Sequence, residues 1–261
     1  MNTQTLPNPS ATHELWSKVP EITLYFWIIK MFSTTVGETF ADFLNVDLGF
    51  GLNITSIVMA ALLIVALAIQ LRASHYTPPK YWFTVVLVSV VGTLITDLLV
   101  DNVGVSLVTL SIVFSLMLAA SFAAWYISEK SLSIHSITTP NREAFYWLTI
   151  LITFALGTAV GDLLAESLHL GYLNSTLVFA AVIGLIALAH FVFKANAILT
   201  FWLAYILTRP LGASFGDYLS QPTLNGGLGL GAVGTSAILL VVILALVTYL
   251  TISRKDAIKL N

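Results

Sequence analysis

The chain has 261 residues, of which 57% are hydrophobic and only 9% charged, with a net charge of −2 and no cysteine. Soluble chains carry roughly 25% charged residues, so a soluble monomer is excluded. The charge balance offers no basic surface for nucleic acid, and the lack of cysteine removes disulfide frameworks, thiolate metal sites, iron–sulfur clusters and cysteine nucleophiles.

What remains is an all-α, polytopic membrane protein, read as one transmembrane domain over residues 1–261. The first 20 residues are polar, with Pro7, Pro9, Pro20 and a single Lys18, and no small-residue cleavage site precedes the first apolar run. They read as a short tail and not as a signal peptide. A membrane helix needs about 20 mainly apolar residues, since each rises roughly 1.5 Å through a hydrocarbon core of about 30 Å. Eight segments qualify, near 21–44, 52–71, 81–101, 104–127, 144–167, 172–193, 195–219 and 232–252. The join between the sixth and seventh is marked only by Lys194 and Asn196. With eight spans, nine of the eleven Lys and Arg fall on one side: Lys18, Arg72, Lys80, Lys130, Arg142, Lys194, Arg254, Lys255 and Lys259. The positive-inside rule then places both termini in the cytoplasm. Lys30 and Arg209 lie inside predicted spans.

The odd spans share one pattern. Trp27, Gly37 and Asp42 are separated by ten and five residues, and so are Trp82, Gly92 and Asp97, then Trp147, Gly157 and Asp162, then Trp202, Gly212 and Asp217. The glycines lie 55, 65 and 55 residues apart, so the first two copies recur as a block 120 residues later. This gives four two-helix hairpins, about 20–72, 80–128, 143–193 and 194–253. An even number of spans per repeat makes all copies parallel, related by an axis along the membrane normal. A pseudo-fourfold or two-plus-two cluster of odd helices, with even helices outside, is expected.

On these Trp, Gly and Asp positions the chain resembles a family of bacterial integral-membrane proteins of unknown function, built of four tandem repeats that each hold two membrane helices and a tryptophan. The resemblance runs from about Lys18 to Arg254. It implies the fold and a multi-pass location in the bacterial cytoplasmic (inner) membrane, and no activity.

Residues four apart share a helix face, which draws a polar stripe on each odd span: Lys30, Thr34, Glu38 and Asp42; Ser89, Thr93, Asp97 and Asp101; Thr158, Asp162 and Glu166; Tyr205, Arg209, Asp217 and Gln221. Charge at the bilayer centre costs several kcal/mol, so these stripes should face inward. Asp97 lies 17 residues beyond Lys80, roughly 26 Å along a helix, so the repeated aspartates sit toward the outer end. Lys30, Glu38 and Arg209 lie deeper, in the first and last repeats, which a closed ring would make neighbours. The outer third gathers Asp42, Asp47, Asp97, Asp101, Asp162, Glu166 and Asp217 without a Lys or Arg. Such a mouth concentrates cations, and oxygen ligands without Cys suit Mg²⁺, Mn²⁺, Ca²⁺ or protons, with Asp97 and Asp162 as the candidate metal ligands.

A structural reading stands beside this one. The aspartates would end their helices at the interface, the glycines would allow close helix contact, Lys30 and Glu38 would neutralise each other, and the tryptophans would be belt anchors. Gly212-Ala213-Ser214-Phe215-Gly216 matches a nucleophile elbow but lies in a membrane helix with no strand before it. Gly229, Gly231 and Gly234 spell a dinucleotide fingerprint that no strand precedes. The five histidines lack ligand spacing, His190 reading as a packing or interfacial residue, and Asn53 and Asn174 each begin an Asn-x-Thr triplet whose Asn or Thr reads as a helix cap. The expectation is a non-enzymatic transporter or channel-like protein for a small cation, divalent or proton-coupled, without a cofactor or nucleic-acid partner and surrounded by lipid. A scaffold, assembly factor or sensor is the alternative, and Lys30 with Arg209 leaves a third, transport of an anionic solute.

Overall fold

The computed structural model describes residues 17–256. Residues 1–16, with Pro7, Pro9 and His13, and Lys259 lie outside them, and with them most of the tail and one cation of the charge count; residues 17–20 of the expected tail are buried. Eight α-helices follow in order: α1 Leu24–Asp42, α2 Leu52–Arg72, α3 Pro78–Asp97, α4 Leu107–Glu129, α5 Pro140–Asp162, α6 Tyr172–Phe191, α7 Ala197–Ser220 and α8 Gly231–Ser253. No strand occurs among the described residues. Seven of the helices, α2 to α8, are long and apolar enough to cross a membrane. The remaining one, α1, has 19 residues and includes Lys30, Glu38 and Asp42.

Local chemistry sets the helix ends. Pro78 and Pro140 occupy first-turn positions, where a missing N–H costs nothing. The Thr139 and Ser106 side chains accept from the backbone N–H of Arg142 and Thr109, and Asn196 Oδ1 accepts from Ile198 and Leu199. The caps expected at Asn53 and Asn174 are not formed. Gly51 and Gly171, at φ +74° and +78°, precede α2 and α6, and the two asparagines lie inside the first turn, bonded to Asn102 and to the Leu170 carbonyl. A short π-helical turn follows α1, α3 and α5 directly after Asp42, Asp97 and Asp162, whereas α7 continues helically past Asp217 to Ser220.

Helices α3, α5 and α7 bury 61%, 67% and 61% of their most apolar stretch, against 22%, 22%, 11% and 33% for α2, α4, α6 and α8. The odd helices therefore make the interior, and the even ones turn faces such as Ile57, Ile64, Ile112 and Leu185 outward. α1 packs on α3, α3 on α5, α5 on α7, and α7 back on α1. The expected hairpins are not the packing units. α2 packs on α3, α4 on α5, α6 on α7, and α8 on α1, so each even helix braces the next repeat and the last braces the first. The two ends of the described chain also meet, the Glu21 N–H donating to the Asp256 carbonyl at 2.8 Å.

Candidate functional site

Two contacts recur at equivalent positions around the odd helices. The first involves the tryptophans, which the sequence offers as interfacial anchors. The structure corrects this: Trp82, Trp147 and Trp202 are 2–4% exposed and Trp27 is half-buried. Each packs on the aromatic residue that precedes the tryptophan of the previous helix. Phe26 meets Trp82 at 5.7 Å between ring centroids, Tyr81 meets Trp147 at 5.4 Å, Tyr146 meets Trp202 at 6.3 Å, and Phe201 meets Trp27 at 5.8 Å. Burial against other rings at these spacings outweighs the interfacial preference of indole.

The second contact explains the glycines. A Cβ on Gly37 would lie 2.4 Å from Ser89 Cβ, one on Gly92 2.6 Å from Phe154 Cβ, one on Gly157 2.5 Å from Arg209 Cβ, and one on Gly212 2.6 Å from Thr34 Cβ. Thr34, Ser89, Phe154 and Arg209 each stand three residues before their own repeat's glycine. Every glycine thus receives the equivalent residue of its neighbour.

These two interlocks stack the odd helices' inward residues in layers four residues apart. The first layer is aromatic: Phe26, Tyr81, Tyr146 and Phe201, all buried, with the Tyr81 and Tyr146 hydroxyls hydrogen-bonded. Lys30, Val85, Ile150 and Tyr205 follow, each 0–1% exposed. Next come Thr34, Ser89, Phe154 and Arg209, then Glu38, Thr93, Thr158 and Ala213, all buried. The last layer holds the four repeated aspartates, Asp42, Asp97 and Asp162 half-buried and Asp217 7% exposed. From Phe26 to Asp42 is 16 residues, roughly 24 Å.

Arg209 and Glu38 meet on this axis at 2.9 Å, as their placement in the last and first repeats suggests. Arg209 Nη2 also donates to Thr158 Oγ1 at 2.7 Å and to Thr93 Oγ1, while Nη1 donates to the Thr34 carbonyl at 3.3 Å. Thr93 Oγ1 donates to Glu38 Oε2 at 3.1 Å. All four odd helices therefore contribute to one charged knot. Pro210, inside α7, packs next to it against Gly157.

Lys30 does not neutralise Glu38. Its Nζ is buried without a hydrogen-bond partner among the described residues, 3.7 Å from the Tyr205 ring centroid and 4.9 Å from that of Phe154. The Phe154 ring also faces the Arg209 guanidinium at 5.6 Å.

At the acidic end, Asp42, Asp97, Asp162 and Asp217 stand four residues beyond Glu38, Thr93, Thr158 and Ala213 on helices that pack in a cycle, so the repeated carboxylates lie at the same end of the axis. Asp47, Asp101 and Glu166 lie in the π-helical turns beyond them and are exposed. No three carboxylate or imidazole groups among the described residues assemble into a metal-holding set. Asp97 and Asp162 thus share an acidic mouth without forming a ready coordination sphere. The acidic helix-end aspartates make no side-chain hydrogen bond to a turn, unlike Glu166, which accepts from the Tyr172 hydroxyl at 3.1 Å.

The sequence reading missed a second buried charge cluster, at the aromatic end. Lys18, placed there in a short tail, is 5% exposed and pairs with Glu143 at 2.8 Å. Glu143 is fully buried, and also accepts from Gln70 Nε2 at 3.0 Å and Trp147 Nε1 at 3.3 Å. Residues 17–21 strap two connections and the segment after α8, through bonds from Lys18 N to Ile137 O, Tyr76 N to Ser17 O, and Glu21 N to Asp256 O. His190 packs as expected, its Nδ1 lying 3.2 Å from Thr200 Oγ1.

A family model described as a Repeat of Unknown Function (DUF347) matches the chain four times, over residues 25–76, 80–131, 145–196 and 200–256. Each match covers one odd helix and the even helix after it. No curated protein and no solved structure matches the chain.

Proposed function

The chain belongs to the DUF347 repeat family, and from that premise we propose that it is a non-enzymatic transporter of a small cation that works by alternating access. In this reading all eight helices cross the bilayer, α1 included, because its Lys30, Glu38 and Asp42 are screened from lipid by the surrounding helices. The four repeats form a pseudo-fourfold ring, supported by the two interlocks that recur between successive odd helices. The membrane is the bacterial cytoplasmic one. The excess of Lys and Arg puts both termini and the aromatic end inside, leaving the acidic end outside.

The observation that carries the proposal is the placement of four repeated aspartates at the same end of a buried axis, one turn beyond the layer of Glu38. An acidic mouth with low-dielectric walls raises the local cation concentration. The aromatic layer closes the other end, so passage requires the layer to open and an always-open pore is not the mechanism. A purely structural scaffold gives no reason to bury Lys30 and Arg209, since each is costly in a membrane interior.

Purified protein in proteoliposomes, tested with Na⁺, K⁺, Mg²⁺, Ca²⁺ and Mn²⁺, should carry at least one of them. Asp97→Asn and Asp162→Asn should abolish that flux while remaining monodisperse. A wild-type protein that moves none of these ions would refute the transport reading.

A further inference from the structure

Lys30 is the least explained group in the molecule. It is 1% exposed, and its Nζ finds no acceptor among the described residues. No helix packed on α1 brings a counter-charge to Lys30. From α7 come Tyr205, whose ring covers the amine, and Arg209, a second cation already committed to Glu38. Tyr146 is on α5 and Tyr81 on α3, their hydroxyls bonded to each other. The titratable residue of α8, Tyr249, is at the far end against Tyr25. On α1 itself the carboxylate of Glu38 is held by Arg209 Nη2, Thr93 and the helix geometry, two turns beyond Lys30. Ring faces attract an ammonium, but they replace none of its three hydrogen bonds to water. A buried charge in this position is paired or it is not a charge.

We infer that Lys30 is a proton-exchange site on the axis: its amine is uncharged in the arrangement described, and it takes a proton only when the Arg209–Glu38 pair has parted. This rests on the transport reading above and names its coupling ion. The step is the binding of one proton by the Lys30 amine, giving an ammonium, with no other bond made or broken.

The consequence follows from charge. Glu38 is the single carboxylate in the three layers that run from Lys30 through Arg209 to Thr158. One carboxylate balances one added cation against Arg209's own demand. A proton on Lys30 and a transported cation at Glu38 therefore exclude each other, and by linkage each lowers the other's affinity equally. Such mutual exclusion makes an exchanger: a cation moves one way with Lys30 neutral, and a proton moves the other way with Lys30 charged.

The test uses full-length protein in liposomes, with Na⁺, K⁺, Mg²⁺, Ca²⁺ and Mn²⁺ as probes and an imposed pH gradient, acid inside. One-for-one exchange of a monovalent cation concentrates it about tenfold per pH unit, the factor set by 1.36 kcal/mol per unit. Wild type should show that gradient dependence. Lys30→Met and Lys30→Gln, two uncharged replacements in case one fails to fold, should bring the ratio of uptake with and without the gradient to about one. Lys30→Arg, charged at every accessible pH, should block uptake instead. Cation uptake in wild type that ignores the gradient, or a Lys30→Met protein that still follows it, overturns the inference while leaving transport standing. No cation movement in wild type at all overturns both.

Discussion

Gly212→Ala tests the interlock on which the axis depends. The new Cβ would fall 2.6 Å from Thr34 Cβ and 3.2 Å from the Thr35 backbone nitrogen. Carbon atoms rest about 3.5–4.0 Å apart, so α7 and α1 must separate by roughly 1 Å at the level where Arg209 reaches the Thr34 carbonyl and Glu38. Overpacking of this kind costs about 1–3 kcal/mol, and the better helix propensity of alanine returns about 0.5–1 kcal/mol. The net loss centres on about 1 kcal/mol. For a chain of this size it lowers the unfolding midpoint by roughly 2–5 °C, read as the monodisperse fraction left after heating in detergent. Thr34→Gly removes the atoms in the way, so the double variant Gly212→Ala/Thr34→Gly should be more stable than the sum of the single effects. Gly184→Ala is the control: nothing lies within 4 Å of its Cβ on α6, and it should unfold at or slightly above the wild-type temperature. If Gly212→Ala behaves like Gly184→Ala, or Thr34→Gly gives no rescue, close approach is not the reason for the repeated glycine.

Arg209→Met should cost about 3–5 kcal/mol because it leaves Glu38 buried without its partner; Arg209→Met/Glu38→Gln should recover most of that in the same heating assay. Burial raises the Asp256 carboxyl above its ordinary range, so the folded state holds that proton more tightly than the unfolded one. Its contribution to stability is present at acid pH and is lost as pH climbs from the ordinary carboxylate range through the raised value. Asp256→Asn keeps an acceptor for the Tyr76 hydroxyl, which lies 2.5 Å from Oδ2, and should flatten that part of the stability profile. A circular permutant that joins residue 261 to residue 1 and opens the chain at Asn225, beside the 97%-exposed Leu224, should fold. It places α8 directly before α1, the helix it packs on, and failure to obtain monodisperse protein would count against the ring.

Much of this architecture was legible in one sequence because the repeat supplied its own alignment. Four Trp, Gly and Asp triplets fix which positions are equivalent, and period-four polar stripes then say which face is inward. The seven apolar helices lie close to their expected positions for the same reason that hydropathy works at all. The partners were harder to read. Spacing identifies Lys30 and Glu38 as residues of one stripe, but only coordinates show that Arg209 comes from another repeat to take Glu38 and leave Lys30 alone. The tryptophans misled because interface preference is a property of isolated indole, whereas these rings have aromatic neighbours. A signal was present: each Trp follows Phe or Tyr, in Phe26-Trp27, Tyr81-Trp82, Tyr146-Trp147 and Phe201-Trp202. The Lys18–Glu143 cluster had no comparable signal, because its members are 125 residues apart and fall outside the repeated triplet.

The scaffold and the axis obey different rules, and that difference locates the chemistry. Positions that hold helix to helix are nearly the same in all four repeats: an aromatic, a tryptophan, a glycine and an aspartate. Positions that line the axis between them vary from repeat to repeat, as Lys, Val, Ile and Tyr in one layer, Thr, Ser, Phe and Arg in the next, and Glu, Thr, Thr and Ala in the third. Within the buried layers, four identical charged linings would place four like charges around one axis at close range, where repulsion would outweigh any gain from packing; the repeated aspartates stand at the end of those layers, where three of the four are half-buried. The charge between the aromatic and acidic ends therefore comes from positions at which the repeats differ. Here the difference is distributed so that α1 brings Lys30 and Glu38, α7 brings Arg209, and α3 and α5 contribute hydroxyls. Since α1 and α7 come from opposite ends of the chain, Arg209 and Glu38 meet only where the last odd helix packs back on the first. No fragment of one, two or three repeats contains that pair.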